Sequence, residues 1–193
     1  GTLAISEGRN FTTAGNLELQ GTLRVGAGSA LDVSGSVSAF NAGVLTSGNI
    51  ELNGQILGDN TRADRVGGRL IVGLDGALLF RDNTTIEDGL AGLSRIDSGG
   101  TFGLVAGREL DLSVDNASFE VGGTLLLGSM STEGPMNRGS KLAVSDYVQE
   151  TGSVLQIGIG STTDYGRIEA MSLTFGLGDP ADLAGTLSLI VEP

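Results

Sequence analysis

One short unit recurs along the chain and constrains its fold more than any other feature: a glycine, a small or polar residue, then alternating apolar and polar positions. Alternation with a period of two predicts a β-strand with one buried and one solvated face, and the flanking glycines predict turns. Charged residues such as Glu18 and Arg24 stand between two apolar neighbours, so their side chains point away from the buried face. The clearest copies of the unit are residues 15–19, 21–25, 35–39, 48–52, 68–72, 123–127 and 185–189.

Such short strands are not stable as isolated hairpins. A chain that turns a corner after every strand and keeps its apolar side inward is better satisfied by coiling, because each strand then pairs in parallel with the next turn of the coil. We therefore predict an all-β fold, a right-handed parallel β-helix with roughly 20 residues per rung; an antiparallel β-sandwich is the alternative. A narrow interior fits the composition, since 33 of the 193 residues are glycine and only 4% are aromatic.

Breaks in the repeat suggest the domain organisation. The first excursion is polar and is predicted to leave the coil as a loop. The second has apolar residues at helical spacing, but its glycines favour an irregular rung over a short helix. The predicted parts are a β-solenoid body at 1–127 with irregular excursions near 59–67 and 85–95, a loop or boundary at 128–140, and a C-terminal solenoid segment at 141–193.

Charge and missing residue types exclude several functions. The net charge is −12 and the eleven basic residues are scattered, which disfavours nucleic acid and anionic membrane surfaces as partners. The chain has no Cys and no His, so disulfides, thiol catalysis and the commonest zinc sites are excluded. No apolar run approaches the ~20 residues of a membrane span, and we expect that this segment does not cross a membrane.

Four motifs near the carboxyl end occur in a recognisable order: YVQ at 147–149, GSVLQI at 152–157, DYGRI at 164–168 and GTLSL at 185–189. This series resembles the passenger regions of autotransporters and related β-strand-repeat surface proteins of Gram-negative bacteria. The resemblance implies a parallel β-helix, export through the outer membrane, and an extracellular or cell-surface location. It does not identify an activity.

The best cluster of carboxylates is Asp82, Glu87 and Asp88. In a polysaccharide-active β-helix enzyme, grouped carboxylates would act as acid and base. No His, Lys or aromatic sugar platform accompanies these three, so a solvated loop is the favoured interpretation. We predict no catalytic residue and no enzyme activity.

A second polar cluster, Asp59, Asn60 and Asp64, offers oxygen ligands of the kind that calcium prefers. The spacing matches neither the twelve-residue calcium loop nor the glycine-rich calcium repeat. We therefore predict no metal site and no cofactor.

Two further features are open to interpretation. Tyr147 and Tyr165, the only tyrosines, are expected to shield the end of the coil, with a ligand patch as the alternative. Residues 10–12, 83–85 and 116–118 match the acceptor pattern for asparagine glycosylation, which in a bacterial protein we interpret as chance.

The predicted function is that of a stiff structural or adhesive rod of a secreted bacterial surface protein, whose partner is a host or neighbouring cell surface. The alternative is a subunit of an extracellular filament or sheath that associates end to end, and the second alternative is a polysaccharide-active β-helix enzyme. A solenoid offers unpaired strand edges at both ends. The candidate partner-binding residues at these edges are Leu3, Ile5, Leu187, Leu189 and Val191.

Overall fold

All regular secondary structure in the described part of the chain is β-strand; no helix forms there. The chain divides into two compact units, Gly1–Leu93 and Ser94–Pro193. The computed structural model describes residues 1–114, 118–128, 139–159, 165–175 and 185–191.

Unit 1 is a series of short strands joined by tight turns. Most are four residues long, the length that the repeated sequence unit predicts. In chain order they are β1 (Thr2–Ile5), β2 (Asn10–Thr13), β3 (Thr22–Val25), β4 (Ala30–Val33), β5 (Phe40–Asn41), β6 (Val44–Leu45), β7 (Asn49–Leu52), β8 (Gln55–Gly58), β9 (Arg65–Val66), β10 (Arg69–Val72), β11 (Ala77–Asp82) and β12 (Thr85–Asp88).

These strands stack in parallel to form three faces. The first face has the order β1-β3-β7-β10, the second has β2-β4-β8-β11-β12, and β5, β6 and β9 form the third. Thr2 pairs with Thr22, and Asn49 pairs with Arg69, so these rungs are 20 residues long. Thr22 pairs with Asn49, which makes the rung between them seven residues longer. The antiparallel β5–β6 hairpin, between Phe40 and Leu45, lies in that longer rung.

The corners between β1 and β2 and between β3 and β4 use left-handed backbone. Glu7 and Gly8 join β1 to β2 with φ angles of 62° and 69°, and Gly28 takes the corresponding place in the next rung with φ 69°. Side chains disfavour this region because Cβ crowds the backbone, and glycine lacks that atom. Gly8 and Gly28 therefore occupy corner positions that favour glycine.

The core consists of columns of aliphatic side chains in register. Leu23, Ile50 and Leu70 are neighbours on successive strands of the first face, and each is fully buried. Burying one such side chain stabilises the fold by about 1.5–3 kcal/mol. A column of equal-sized side chains fills the narrow interior layer by layer, which is the packing predicted from the scarcity of aromatic residues.

Unit 2 has shorter strands first and longer strands later. β14, β17, β19 and β21 form one parallel sheet, and the other described strands form a second. The described strands are β13 (Arg95–Ile96), β14 (Thr101–Leu104), β15 (Glu109–Asp111), β16 (Phe119–Val121), β17 (Thr124–Leu127), β18 (Lys141–Gln149), β19 (Ser153–Ile159), β20 (Arg167–Phe175) and β21 (Gly185–Val191).

The nine-residue strand β18 extends alongside two short strands, β15 and β16. Its first part, Lys141 to Ala143, pairs with β15, and its last part, Tyr147 to Gln149, pairs with β16. β20 then pairs with β18 in parallel along both parts. The later rungs of unit 2 therefore have two long strands where the rungs of unit 1 have three short faces.

The predicted all-β parallel β-helix is confirmed. Parallel pairing joins successive rungs, and the antiparallel pairs of unit 1 are confined to the local hairpins β5–β6 and β11–β12. The antiparallel β-sandwich is wrong, because its neighbouring strands would run in opposite directions throughout.

The segment at 59–67 does not leave the coil, contrary to the prediction. Thr61, Ala63 and Val66 are fully buried, and the Ala63 amide donates a hydrogen bond to the Gly89 carbonyl at 2.8 Å. In this irregular stretch, the side chains of Asn60 and Thr61 hydrogen-bond to backbone groups of neighbouring rungs.

The segment at 85–95 begins with β12, which folds back antiparallel on β11, and the residues after it are irregular. Its three apolar residues differ in burial: Ile86 is 61% exposed, whereas Leu90 and Leu93 are fully buried. Most of the predicted boundary at 128–140 lies outside the described residues, and the division between the two units falls after Leu93.

Candidate functional site: outer faces and open strand edges

The candidate residues at the first rung of unit 1 differ in accessibility. β1 is paired on one side only, with β3. Leu3 is half-buried and Ile5 is only 7% exposed, although both are in register with buried residues of β3, Leu23 and Val25. Of these two side chains, Leu3 is therefore the one that a partner could reach, whereas Ile5 offers its backbone edge.

At the other end of the candidate set, β21 is paired with β19 alone among the described strands. Leu189 stands in register with Ile157 and is 56% exposed. The backbones of Leu187 and Val191 lie in the same strand, and their side chains are outside the described part of the structure.

Further exposed apolar side chains lie on the outermost described strands. Phe11 of β2 is 48% exposed although its column continues into buried Leu31, and Leu173 of β20 is 56% exposed beside buried Tyr147. Met171 of β20 is 84% exposed. Sequence reasoning could have found Phe11, because residues 10–13 occupy the same place in the repeat as residues 30–33, twenty positions later.

A shallow cleft of about 390 Å³ lies beside β1. Residues 1–3 and 18–22 line it, and Glu18 brings a carboxylate to its wall. The rest of the lining consists of backbone, hydroxyl, amide and leucine groups.

The outer faces of unit 1 carry ion pairs that connect rungs. Glu51 accepts from Arg24 at 2.8 Å and from Arg69 at 2.7 Å, so one carboxylate joins three successive strands of the first face. On the second face, Arg81 pairs with Asp32 and with Asp59. The hydrogen bond with Asp32 raises the pKa of Arg81 above its ordinary value, although burial opposes the rise.

Unit 2 repeats this arrangement with a single arginine as the hub. Arg95 contacts Asp97 at 3.2 Å, Glu150 at 2.8 Å, and Glu120. Burial lowers the pKa of Arg95, but the charges and hydrogen bonds of Glu150 and Glu120 outweigh it, and the pKa lies above the ordinary value. The hub therefore joins three rungs.

Lys141 occupies a similar position in β18. Its Nζ lies 3.3 Å from Glu109 and 3.7 Å from Glu169. In the described part of the chain, every arginine and this lysine take part in an ion pair or another interaction. The surplus charge on the outer faces is consequently negative.

The side chains of the second polar cluster all have protein partners. Asp59 pairs with Arg81, and Asp64 pairs with Arg62 at 2.6 Å. The Asn60 side chain bonds the neighbouring rung: its Oδ1 accepts from the Val37 amide at 2.8 Å, and its Nδ2 donates to the carbonyls of Val37 and Phe40 at 3.1 and 2.7 Å. No group of three potential metal ligands occurs among the described acidic residues.

The acidic cluster lies on the β11–β12 hairpin, where Asp82, Glu87 and Asp88 are all exposed. Asp88 accepts a hydrogen bond from the Leu90 amide at 2.9 Å, and Glu87 accepts one from the Thr85 hydroxyl at 3.3 Å. These bonds stabilise the hairpin itself, in keeping with a solvated loop.

The two tyrosines have different environments. Tyr147 is fully buried between Phe119 and Leu173 in the core of unit 2, and burial raises the pKa of its phenol. Tyr165 is 44% exposed and forms an isolated bridge with Ile159. Tyr147 thus fills the interior where the long strands begin, while Tyr165 lies at the surface.

Comparison with known proteins gives no relative. No protein-family model, no curated protein and no solved structure matches this chain. Among the described residues, no helix is long and apolar enough to cross a membrane.

Proposed function

We propose that the chain is a non-enzymatic structural or adhesive segment of a secreted bacterial surface protein. The proposal rests on the ion pairs of the outer faces, which connect different rungs. Glu51, Arg81 and Arg95 each connect strands from different rungs, above a core of aliphatic columns in register. An outer surface whose cations hold rungs together suits a scaffold that must keep its form outside the cell.

The nature of the partner follows from the surface charge. With a net charge of −12 and its described cations already paired, the chain repels nucleic acid and anionic membranes. A host or neighbouring cell surface that presents hydroxyl, amide or cationic groups is the matching class of partner. The sequence resemblance to autotransporter passengers supports the same location.

The test is surface display. Intact cells that express the protein are probed with an antibody raised against this chain and with an antibody against a cytoplasmic marker. We expect labelling by the first antibody only, and beads coated with the folded chain should adhere to target cells better than beads coated with the heat-unfolded chain. Labelling that requires lysis of the cells would contradict the proposal.

A second candidate, an end-to-end filament or sheath, is favoured by one observation. Phe11 and Leu173 continue buried columns, and Leu189 stands in register with half-buried Ile157; all three are about half exposed on the outermost described strands. Another rung from a second copy would cover them, and unpaired strand edges invite such pairing.

Sedimentation and electron microscopy of the purified chain test this candidate. Filaments that Leu189→Glu abolishes would support it, provided that Ile86→Glu, a change at an equally exposed apolar residue of the β11–β12 hairpin, leaves them intact. A monodisperse monomer at high concentration would refute it.

A further inference from the structure

The β11–β12 hairpin presents an asparagine in an acceptor sequence at its tip. Asp82 pairs with Thr85, so Asn83 and Thr84 form the turn. Asn83 has φ 55°, and residues 82–88 are all exposed. Asn83, Thr84 and Thr85 match the acceptor pattern of asparagine glycosylation, in which a hydroxyl residue follows two positions after the asparagine.

The sequence alone favoured chance for this match, whereas the exposed hairpin tip favours its use. We propose that Asn83 is a glycosylation site and that its glycan covers the open edge of β12. The inference rests on the proposed function, because the chain must meet a glycosyltransferase on its way to the cell surface. The reaction joins the Asn83 Nδ2 atom to the anomeric carbon of a diphosphate-activated sugar. The carbon–phosphate-oxygen bond breaks, the diphosphate leaves with the electron pair, and one amide proton is lost to a base.

The geometry of the tip accommodates the product. The Asn83 Nδ2 atom donates a hydrogen bond to Asp82 Oδ1 at 2.9 Å. A glycosylated amide nitrogen keeps one hydrogen, so this bond can persist and the turn need not change. The sugar would extend from a hairpin tip whose neighbours are all exposed, where it displaces no core side chain.

The hairpin also has a physical use for a glycan. β12 pairs only with β11, and among the described strands its other edge is open. Ile86 in the middle of this edge strand is 61% exposed. Open edges that carry an apolar side chain promote pairing between molecules, and a bulky hydrophilic group beside the edge prevents it.

The other described acceptor sequence differs in its position. Asn10 is the first residue of β2, in register with Ala30, and the carbonyl of its neighbour Arg9 accepts from the Ala30 amide at 3.2 Å. A transferase must surround the acceptor segment, which is easier at a hairpin tip than on a strand held in a sheet. The third asparagine of this kind, Asn116, lies outside the described residues.

Peptide mass mapping separates the three acceptors. Trypsin cleaves after arginine, so Asn10, Asn83 and Asn116 fall in the peptides 10–24, 82–95 and 109–138. The protein is isolated from the surface fraction of the cells that produce it. We expect the peptide 82–95 to carry hexose or other sugar mass in most molecules, and the peptide 10–24 to be unmodified.

Variants distinguish the acceptor from a residue that merely suits the turn. Asn83→Gly keeps the left-handed turn and should lose the sugar, and Thr85→Ser should keep it. Thr85→Val also removes the exposed hydrogen bonds of the Thr85 hydroxyl to Asp82 and Glu87, and it should lose the sugar while the protein remains folded by circular dichroism. Surface-located protein whose peptide 82–95 is wholly unmodified overturns the inference and leaves the proposed function standing. Protein found only inside the cell instead refutes the proposed function.

Discussion

Asn60 provides a sharp test of how the irregular segment of unit 1 is held. Its side chain makes three hydrogen bonds to the backbone of the neighbouring rung, two to Val37 and one to Phe40. Each such bond contributes roughly 0.5–1.5 kcal/mol net. Asn60→Ala removes all three and leaves the Val37 amide in a partly buried place without this acceptor, so we expect a loss of about 2–4 kcal/mol.

The matched control is Asn16→Ala. Asn16 Oδ1 accepts a single, exposed hydrogen bond from the Ser36 amide at 2.9 Å, and we expect its removal to cost at most about 1 kcal/mol. Urea unfolding followed by circular dichroism gives both free energies of unfolding. Equal losses for the two variants, or a loss under about 1 kcal/mol for Asn60→Ala, would refute the reasoning.

Three further predictions concern packing, backbone strain and titration. Ile56 is fully buried, so Ile56→Ala should lower the free energy of unfolding in urea by about 2–5 kcal/mol. Ile86 is 61% exposed, so Ile86→Ala should change the free energy of unfolding by less than about 0.5 kcal/mol. Equal effects of the two variants would argue against the burial pattern. Ala42 has φ 47° at the β5–β6 turn, so Ala42→Gly should raise the free energy of unfolding by roughly 0.5–1 kcal/mol, and a lower urea midpoint would contradict this. Hydrogen bonds from the Ser113 side chain and amide lower the pKa of Asp111, so Ser113→Ala should raise that pKa in a carbon NMR titration, and an unchanged pKa would contradict the assignment. In the unchanged protein, the Asp111 carboxylate contributes stability above its unfolded pKa, and this contribution is lost as the pH falls through its folded pKa.

The fold could be predicted because the repeated unit is local. Leu23, Ile50 and Leu70 each follow a glycine at the same interval, and the structure places them in one buried column. Charges between apolar neighbours, such as Arg24 and Glu51, point outward as expected and meet across the rungs. A period of two and a glycine at each corner are sufficient for this part of the architecture.

The positions of the hairpins could not be predicted in the same way. Asn53-Gly54 has the residues that hairpin turns prefer, yet it is a corner that leads from β7 to β8. The actual turns are at Ala42-Gly43 and at Asn83. The pairing of neighbouring rungs in the tertiary structure determines which of these sequences forms a hairpin. Local turn propensity contains no information about that pairing.

The candidate site shows the same limit. Arg69 is 18 residues from Glu51, but Arg24 is 27 residues from it, because one rung is longer than its neighbours. Ion pairs between rungs therefore have no fixed spacing in the sequence. The side-chain oxygen of Asn60 made this residue a candidate metal ligand in the sequence. Only the structure shows that its side-chain amide forms hydrogen bonds with the adjacent backbone.

The account depends most on parallel, in-register stacking of the rungs of unit 1. Nuclear Overhauser measurements on the isotope-labelled protein test it directly, because parallel and antiparallel neighbours bring different protons together. We expect contacts between amide and α protons that link Leu23 with Ile50 and Ile50 with Leu70. Close pairs of α protons between strands adjacent in sequence, for example between β3 and β4, would contradict the parallel β-helix.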